Sequence, residues 1–336
     1  MADLKSPTLD ADRRGQVLLV TGFALAVTFV GLALVFNSVI YTENLATRSE
    51  STTTTDPISH AASLQSGSER LVTAVNELNA SNTSRYAQVE QNFTWAFENM
   101  TDIMMNHQLG DGQVVADEFS FPNRYRATVL HQVDDERNFS NANREPDWTL
   151  VSGAEGARSL RIFVSSESQL EGNDNVGLVE PGGEPFNMTV RGNGDTWRLN
   201  VSDDPRGLLT SGDTLVGVKT ADGDHVTCGA PNPPFWINVS AGTVDGTECA
   251  GLDFAEGLAP IEEIEFNNAS NVNGSYRLLV NRSNNSVGID QSNYGQLPDK
   301  PSTEPGIWGV DLTVDYESDV LRYVREIRAV PGEKDD

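Results

Sequence analysis

The chain has 336 residues and a formal charge of −26, with 23 Lys and Arg against 49 Asp and Glu. A surface that binds nucleic acid must supply cations to displace phosphate counterions, so this balance argues against a nucleic-acid partner. Only four of the basic residues are Lys (Lys5, Lys219, Lys300 and Lys334), and an acidic, lysine-poor surface suits a protein kept hydrated in concentrated salt, where self-repulsion is screened.

The first 48 residues balance four basic groups against four acidic ones, so the whole net charge lies downstream. Val17–Ile40 runs for 24 residues without a charge, which at about 1.5 Å per residue is enough to cross a bilayer core of about 30 Å. This predicts a transmembrane helix over residues 16–41, behind a leader of residues 1–15. The apolar run exceeds the roughly 7–15 residues of a cleaved secretory signal. Asn44-Leu45-Ala46-Thr47 is also a poor cleavage site of that kind. Lys5, Arg13 and Arg14 precede the run and only Arg48 follows closely, which places the N-terminus in the cytoplasm and the bulk of the chain outside. Gly22, Ala26, Gly31 and Ala33 would permit close helix packing, or are simply small residues tolerated in a span.

The junction Asp12-Arg13-Arg14-Gly15-Gln16, followed at once by Val17-Leu18-Leu19-Val20, resembles the class III signal of archaeal type IV pilin-like proteins. The resemblance implies cleavage after Gly15 by a membrane peptidase, with Gln16 as the new N-terminus and the hydrophobic helix retained. That family often carries an acidic residue at the fifth mature position, where this chain has Val20. Arg13-Arg14 also resembles a twin-arginine signal, which Gly15-Gln16-Val17-Leu18 continues poorly. The resemblance covers about 35 residues, and the whole layout is similar to haloarchaeal secreted pilin-like proteins of unassigned function.

After the tract Ser51-Thr52-Thr53-Thr54-Thr55, Asp56-Pro57 should interrupt a helix. Apolar residues then return at helical spacing: Leu64, Leu71, Val75 and Leu78, followed by Val89, Phe93, Ala96, Phe97, Met100 and Met104. Each set makes one narrow face. Residues 42–109 therefore read as a helical stalk, in which 58–108 would be about 75 Å long if continuous and Ala80-Ser81-Asn82-Thr83-Ser84 marks a break. Such a stripe packs on a neighbouring domain or on a partner helix.

Beyond Gly110 the punctuation changes to short alternating or aromatic-rich runs separated by Gly, Asn, Asp and Pro. These are Arg126–Leu130, Ser159–Val164, Phe186–Arg191, Thr196–Val201, Leu215–Lys219, Phe235–Val239, Tyr276–Asn281, Ile307–Tyr316 and Val320–Val330. They predict an all-β, β-sandwich-like extracellular head over residues 110–332, with an acidic tail at 333–336. Gly192-Asn193-Gly194-Asp195 reads as a hairpin loop. In the last hairpin Val310, Leu312, Val314 and Tyr316 alternate with Asp311, Thr313 and Asp315, giving one buried and one solvated face.

The acceptor pattern Asn-x-Ser/Thr occurs at Asn79, Asn82, Asn92, Asn99, Asn138, Asn187, Asn200, Asn238, Asn268, Asn273, Asn281 and Asn284. Composition alone would give roughly four such sites, and all twelve lie on the side of the span assigned to the exterior. Co-enrichment of Asn, Ser and Thr in loops is the competing explanation. Cys228 and Cys249 are the two thiols; in an oxidising exterior a pair 21 residues apart reads as one structural disulfide. Two cysteines with His225 make an incomplete zinc set.

No catalytic constellation, cofactor motif or metal site emerges. The segment Gly192-Asn193-Gly194 lacks the Lys-Ser/Thr of a phosphate loop, and neither G-x-S-x-G nor H-E-x-x-H occurs. Asp222-Gly223-Asp224 and Asp245-Gly246-Thr247-Glu248 carry carboxylates suited to a hard cation, but fit turns better. Two functions follow as expectations. One is a pilin-like, membrane-anchored, glycosylated surface protein, partnered by membrane lipid and by pilin-like subunits or envelope proteins. The other is a signal-anchored envelope protein with an extracellular binding or enzymatic head.

Overall fold

The computed structural model describes residues 55–78, 85–110, 116–120, 124–166, 185–203, 214–252, 258–283, 287–296, 298–317 and 322–332. The leader, the apolar run Val17–Ile40, Ser51–Thr54 and the acidic tail lie outside the described residues. Among the described residues no helix is long and apolar enough to cross a membrane.

Two helices come first, α1 (Thr55–Leu78) and α2 (Tyr86–Gly110). Pro57 lies in the first turn of α1, where the missing N–H would have had no intrahelical partner in any case. The helices pack on each other and on the sheet. α1 buries Ala61, Leu64, Ser68, Val72 and Val75, and α2 buries Val89, Phe93, Phe97 and Thr101. The observed α1 stripe is turned slightly from the expected one, since Val72 is buried and Leu71 only half-buried.

In chain order the strands are β1 (Ala116–Ser120), β2 (Arg124–Gln132), β3 (Trp148–Ala154), β4 (Ala157–Ser166), β5 (Phe186–Gly192), β6 (Asp195–Asp203), β7 (Thr214–Lys219) and β8 (His225–Ala230). They continue with β9 (Phe235–Asn238), β10 (Thr243–Val244), β11 (Thr247–Glu248), β12 (Ile261–Asn267), β13 (Asn273–Val280), β14 (Ser302–Glu317) and β15 (Arg322–Ala329). A nine-stranded sheet runs β1-β14-β2-β13-β4-β9-β10-β11, with β15 also paired to β14, and a six-stranded sheet runs β3-β12-β5-β6-β7-β8. Each of the nine strand segments expected from the sequence overlaps an observed strand, with Val239, Asn281 and Val330 falling just past strand ends.

The two sheets share one apolar core, so the β-rich part is a two-layer structure. Leu130, Leu160, Ile162, Phe235, Ile237 and Leu278 enter it from the larger sheet, and Leu150, Ile264, Met188, Leu199 and Val216 from the smaller. At its centre Phe139 meets Phe186 and Tyr276 edge-on, with ring centroids 5.3 Å away in each case. The polar tips of the core aromatics are largely bonded: Trp148 Nε1 donates to Phe139 O at 2.9 Å, and Tyr294 Oη to Leu150 O at 2.7 Å. Burial pushes the Tyr294 phenol well above its ordinary range.

A second, smaller core forms where the helices meet β14 and β15. Ile307, Val310, Leu312, Val314, Ile327 and Ala329 pack against the α1 and α2 stripes. The alternation expected over Val310–Val314 is present, and its buried side is covered by helices. A loop after β2 is held by Arg137, whose Nη1 donates to Gln132 Oε1 at 2.6 Å and Ser140 O at 2.7 Å, and whose Nη2 donates to Asn141 O at 2.6 Å.

Candidate functional site

The edge strand β8 of the smaller sheet and the edge strand β11 of the larger one are brought together by short turns. β7 and β8 are joined through Thr220–Asp224, where the Asp224 N–H donates to Thr220 Oγ1 at 3.1 Å and Gly223 takes φ 89°. β10 and β11 turn on Asp245 and Gly246, with φ 46° and 79°, the paired left-handed geometry of a two-residue hairpin loop. Both acidic segments weighed as cation ligands are thus hairpin turns. Cys228 on β8 and Cys249, next after β11, form a disulfide with Cα atoms 5.9 Å apart. The bond expected from the sequence is present, and it ties one sheet to the other.

The acceptor asparagines occupy several distinct surfaces. Asn79, Asn82 and Asn284 lie outside the described residues, as do Gly15 and Gln16. Asn92 and Asn99 are exposed on α2. Asn138 and Asn273 face each other across an isolated bridge, and Asn138 Oδ1 accepts from Ser140 Oγ at 2.8 Å. Asn187 lies between Asn200 on β6 and Asn267 on β12 in register, and Asn267 Nδ2 donates to Asn187 Oδ1 at 3.1 Å. Asn200 is buried, at 7% exposure. Asn268 adopts φ 51° and donates from Nδ2 to Pro185 O at 3.3 Å. Asn281 is half-buried beside Glu155. Asn238 ends β9 and caps the short turn Val239–Ala241, its Oδ1 accepting from the Ala241 N–H at 3.1 Å.

An open groove of about 410 Å³ lies beside β3 and β12, lined by Glu145, Trp148, Ser152, Glu263, Asp290 and Asn293. Ser152 Oγ donates to the Gly288 carbonyl at 3.4 Å rather than to a base. Asp290 is held below the usual carboxylate range by hydrogen bonds from the Ser292 hydroxyl and N–H. Next to the groove, Arg191 Nη1 lies 2.7 Å from both Glu263 and Glu265. Burial, then the Glu263 charge, raises the Glu265 carboxyl, and Arg191 opposes the rise. The groove can hold polar or cationic groups, but its geometry defines no reaction.

A further polar cluster, which no sequence motif marks, lies under the end of α1. His131 Nε2 is 3.6 Å from Glu304 Oε1, and both residues are buried. On the neighbouring strand, burial lowers the Arg277 guanidinium while Glu77 and Glu304 counter it. Arg277 donates to Asn76 O, and Arg161 pairs with Glu77 at 3.2 Å. This network seats a helix on a sheet and brings His131 and Glu304 together from strands far apart in the chain. Among the described residues, no group of three or more His, Cys, Asp or Glu is arranged to hold a metal ion.

Residues 11–143 match a family of unknown function (DUF7261). The matched stretch runs from before the apolar run through α1, α2, β1 and β2 into the Arg137 loop. No curated protein and no solved structure matches the chain.

Proposed function

We propose that this chain is a pilin-like, membrane-anchored, glycosylated cell-surface protein with a structural, filament-associated or adhesive role. The observation that carries the reading is the Cys228–Cys249 bond between the two sheets. Structural disulfides persist in oxidising compartments, which agrees with the exterior side that the charges flanking Val17–Ile40 assign to everything downstream. The acceptor asparagines on several faces, the acidic balance and the class III-like junction at Gly15-Gln16 support the same reading. The retained apolar helix would hold the protein in the membrane or in a filament core, with the β-rich unit presented outward.

The test is N-terminal sequencing together with intact-mass measurement of the protein isolated from its native membrane. A chain that begins at Gln16 and carries added sugar mass is expected. Reduced cysteines in a cytosolic protein would overturn the reading. A membrane-bound chain that keeps residues 1–15 would leave the signal-anchored envelope protein as the better description.

A further inference from the structure

The face of the larger sheet turned away from the core is open over β4 and β9. There Trp236 is 48% exposed and Phe163 half-buried. The two are directly paired across the strands, with ring centroids 4.8 Å apart and planes at 39°. An exposed aromatic pair on a strand face is costly to hydrate. Asn238 follows Trp236 by two residues on the same strand, so both side chains lie on this face, about 7 Å apart along it. Arg161, opposite Asn238 in register, borders the same patch.

We infer that a glycan carried on Asn238 lies down on Trp236 and Phe163, making this face a built-in sugar platform. The inference rests on the glycosylated-surface reading above and deepens it. The apolar C–H face of a pyranose complements the electron-rich face of an indole, and covering the pair removes it from water. The acceptor is also pre-positioned. Asn238 Oδ1 is held by the Ala241 N–H, a cap that leaves the amide nitrogen as the atom to be modified and limits the entropy lost on stacking. The pattern recurs elsewhere: Trp95 on α2 is 68% exposed, with acceptor residues Asn92 three positions before it and Asn99 four after, neighbours on a helical surface.

The test compares the full chain with Asn238→Asp, which keeps the capping oxygen but removes the acceptor, each with and without Trp236→Ala. All four are produced both in the native host and in a host lacking N-glycosylation. Glycopeptide mass spectrometry is expected to find Asn238 occupied. In the native host N238D should lower Tm by about 3 °C, with no loss in the non-glycosylating host and none in the Trp236→Ala background. Acrylamide quenching attributable to Trp236 should also be weaker in the glycosylated protein. An N238D effect of equal size with and without Trp236 overturns the platform. An empty Asn238 beside other occupied sites overturns it too, while leaving the glycoprotein reading standing; no occupied site anywhere overturns both.

Discussion

The side-chain amide of Asn76 on α1 is paired with the main chain of Ile307 on β14 in both directions. Nδ2 donates to Ile307 O at 2.8 Å, and the Ile307 N–H donates to Oδ1 at 2.9 Å. The β14 register against β2 slips just here, between Ile307 and Gly309, so the amide supplies partners at the irregularity. A Cβ on Gly306 would lie 3.0 Å from Asn76 Oδ1, which shows how closely helix and strand approach. Asn76→Ala leaves a buried donor and a buried acceptor unmade, at about 1–3 kcal/mol each. Urea denaturation should report a loss of about 2–6 kcal/mol; a loss within about 0.5 kcal/mol would mean that water replaces the amide.

The bond between Cys228 and Cys249 closes a loop with a sequence separation of 21, and chain entropy puts its contribution at about 3 kcal/mol. Replacing both residues by Ser should lower Tm by several degrees while preserving the fold, because the shared core is extensive. Thiol labelling of the wild-type protein unfolded without reductant should find no reactive group. Two reactive groups would remove the bond and, with it, the main support for an exterior location.

Removing the helices should be more damaging than sequence alone suggests. A fragment beginning at Gly110 would bare Ile307, Val310, Leu312, Val314 and Ile327, all of which are buried against α1 and α2. Contiguous apolar surface of this kind drives self-association. Light scattering should find that fragment associated and one beginning at Thr55 monomeric. A monomeric, cooperatively folding Gly110 fragment would show that the helices are dispensable.

How much could be read beforehand follows from period and charge. The stretch of β14 from Val310 to Asp315 was legible because plain alternation sends one side chain in two inward. β12 was not. Its Ile261, Ile264 and Phe266 are all buried, but the register slips between Ile261 and Glu263 on one side and between Ile264 and Glu265 on the other, which breaks the two-residue period. Polar residues inside the interface, Asn76 and His131 among them, carry no periodic signal, since their partners are more than 150 residues away in sequence. The disulfide was legible because only two thiols exist. The burial of Asn200 was not, because an acceptor motif says nothing of which way a strand faces.

Salt should stabilise the Thr55 fragment. With −26 on the chain, and a screening length that falls from about 30 Å at 0.01 M to about 3 Å at 1 M, Tm should climb as KCl rises from tens of millimolar to molar. Sucrose at equal osmotic strength should help less, since it does not screen charge. A flat salt series would mean that the acidic groups are already dispersed or paired.

Glu265 gives a pH dependence of defined sign. Its carboxyl is raised in the folded state, so the fold holds that proton to higher pH than the unfolded chain does. Stability is therefore lost as pH climbs through the window between the two values, and the loss is complete above it. Glu265→Gln removes the loss and keeps a hydrogen-bonding side chain for Arg191. At pH 7 it should melt about 1 °C higher, a small effect because Arg191 and solvent both offset the cost of burial and of the Glu263 charge. The gap should close once pH falls below the ordinary carboxylate range; a variant that melts lower at pH 7 would show that the ion pair outweighs burial and repulsion together.

The seating of α1 and α2 on β14 and β15 also sets an order of events in biosynthesis. The helices are made first and the strands they need are made last, so Val72 and Ile327 belong to one cluster across most of the chain. Until the final hairpin has been delivered, the helical stripes have no native cover, and closing so long a loop is slow. Chains shortened at the C-terminus by premature termination or proteolysis should keep those stripes bare and be the first cleared by quality-control proteases. Completion of the last strand then acts as the checkpoint for the first helix.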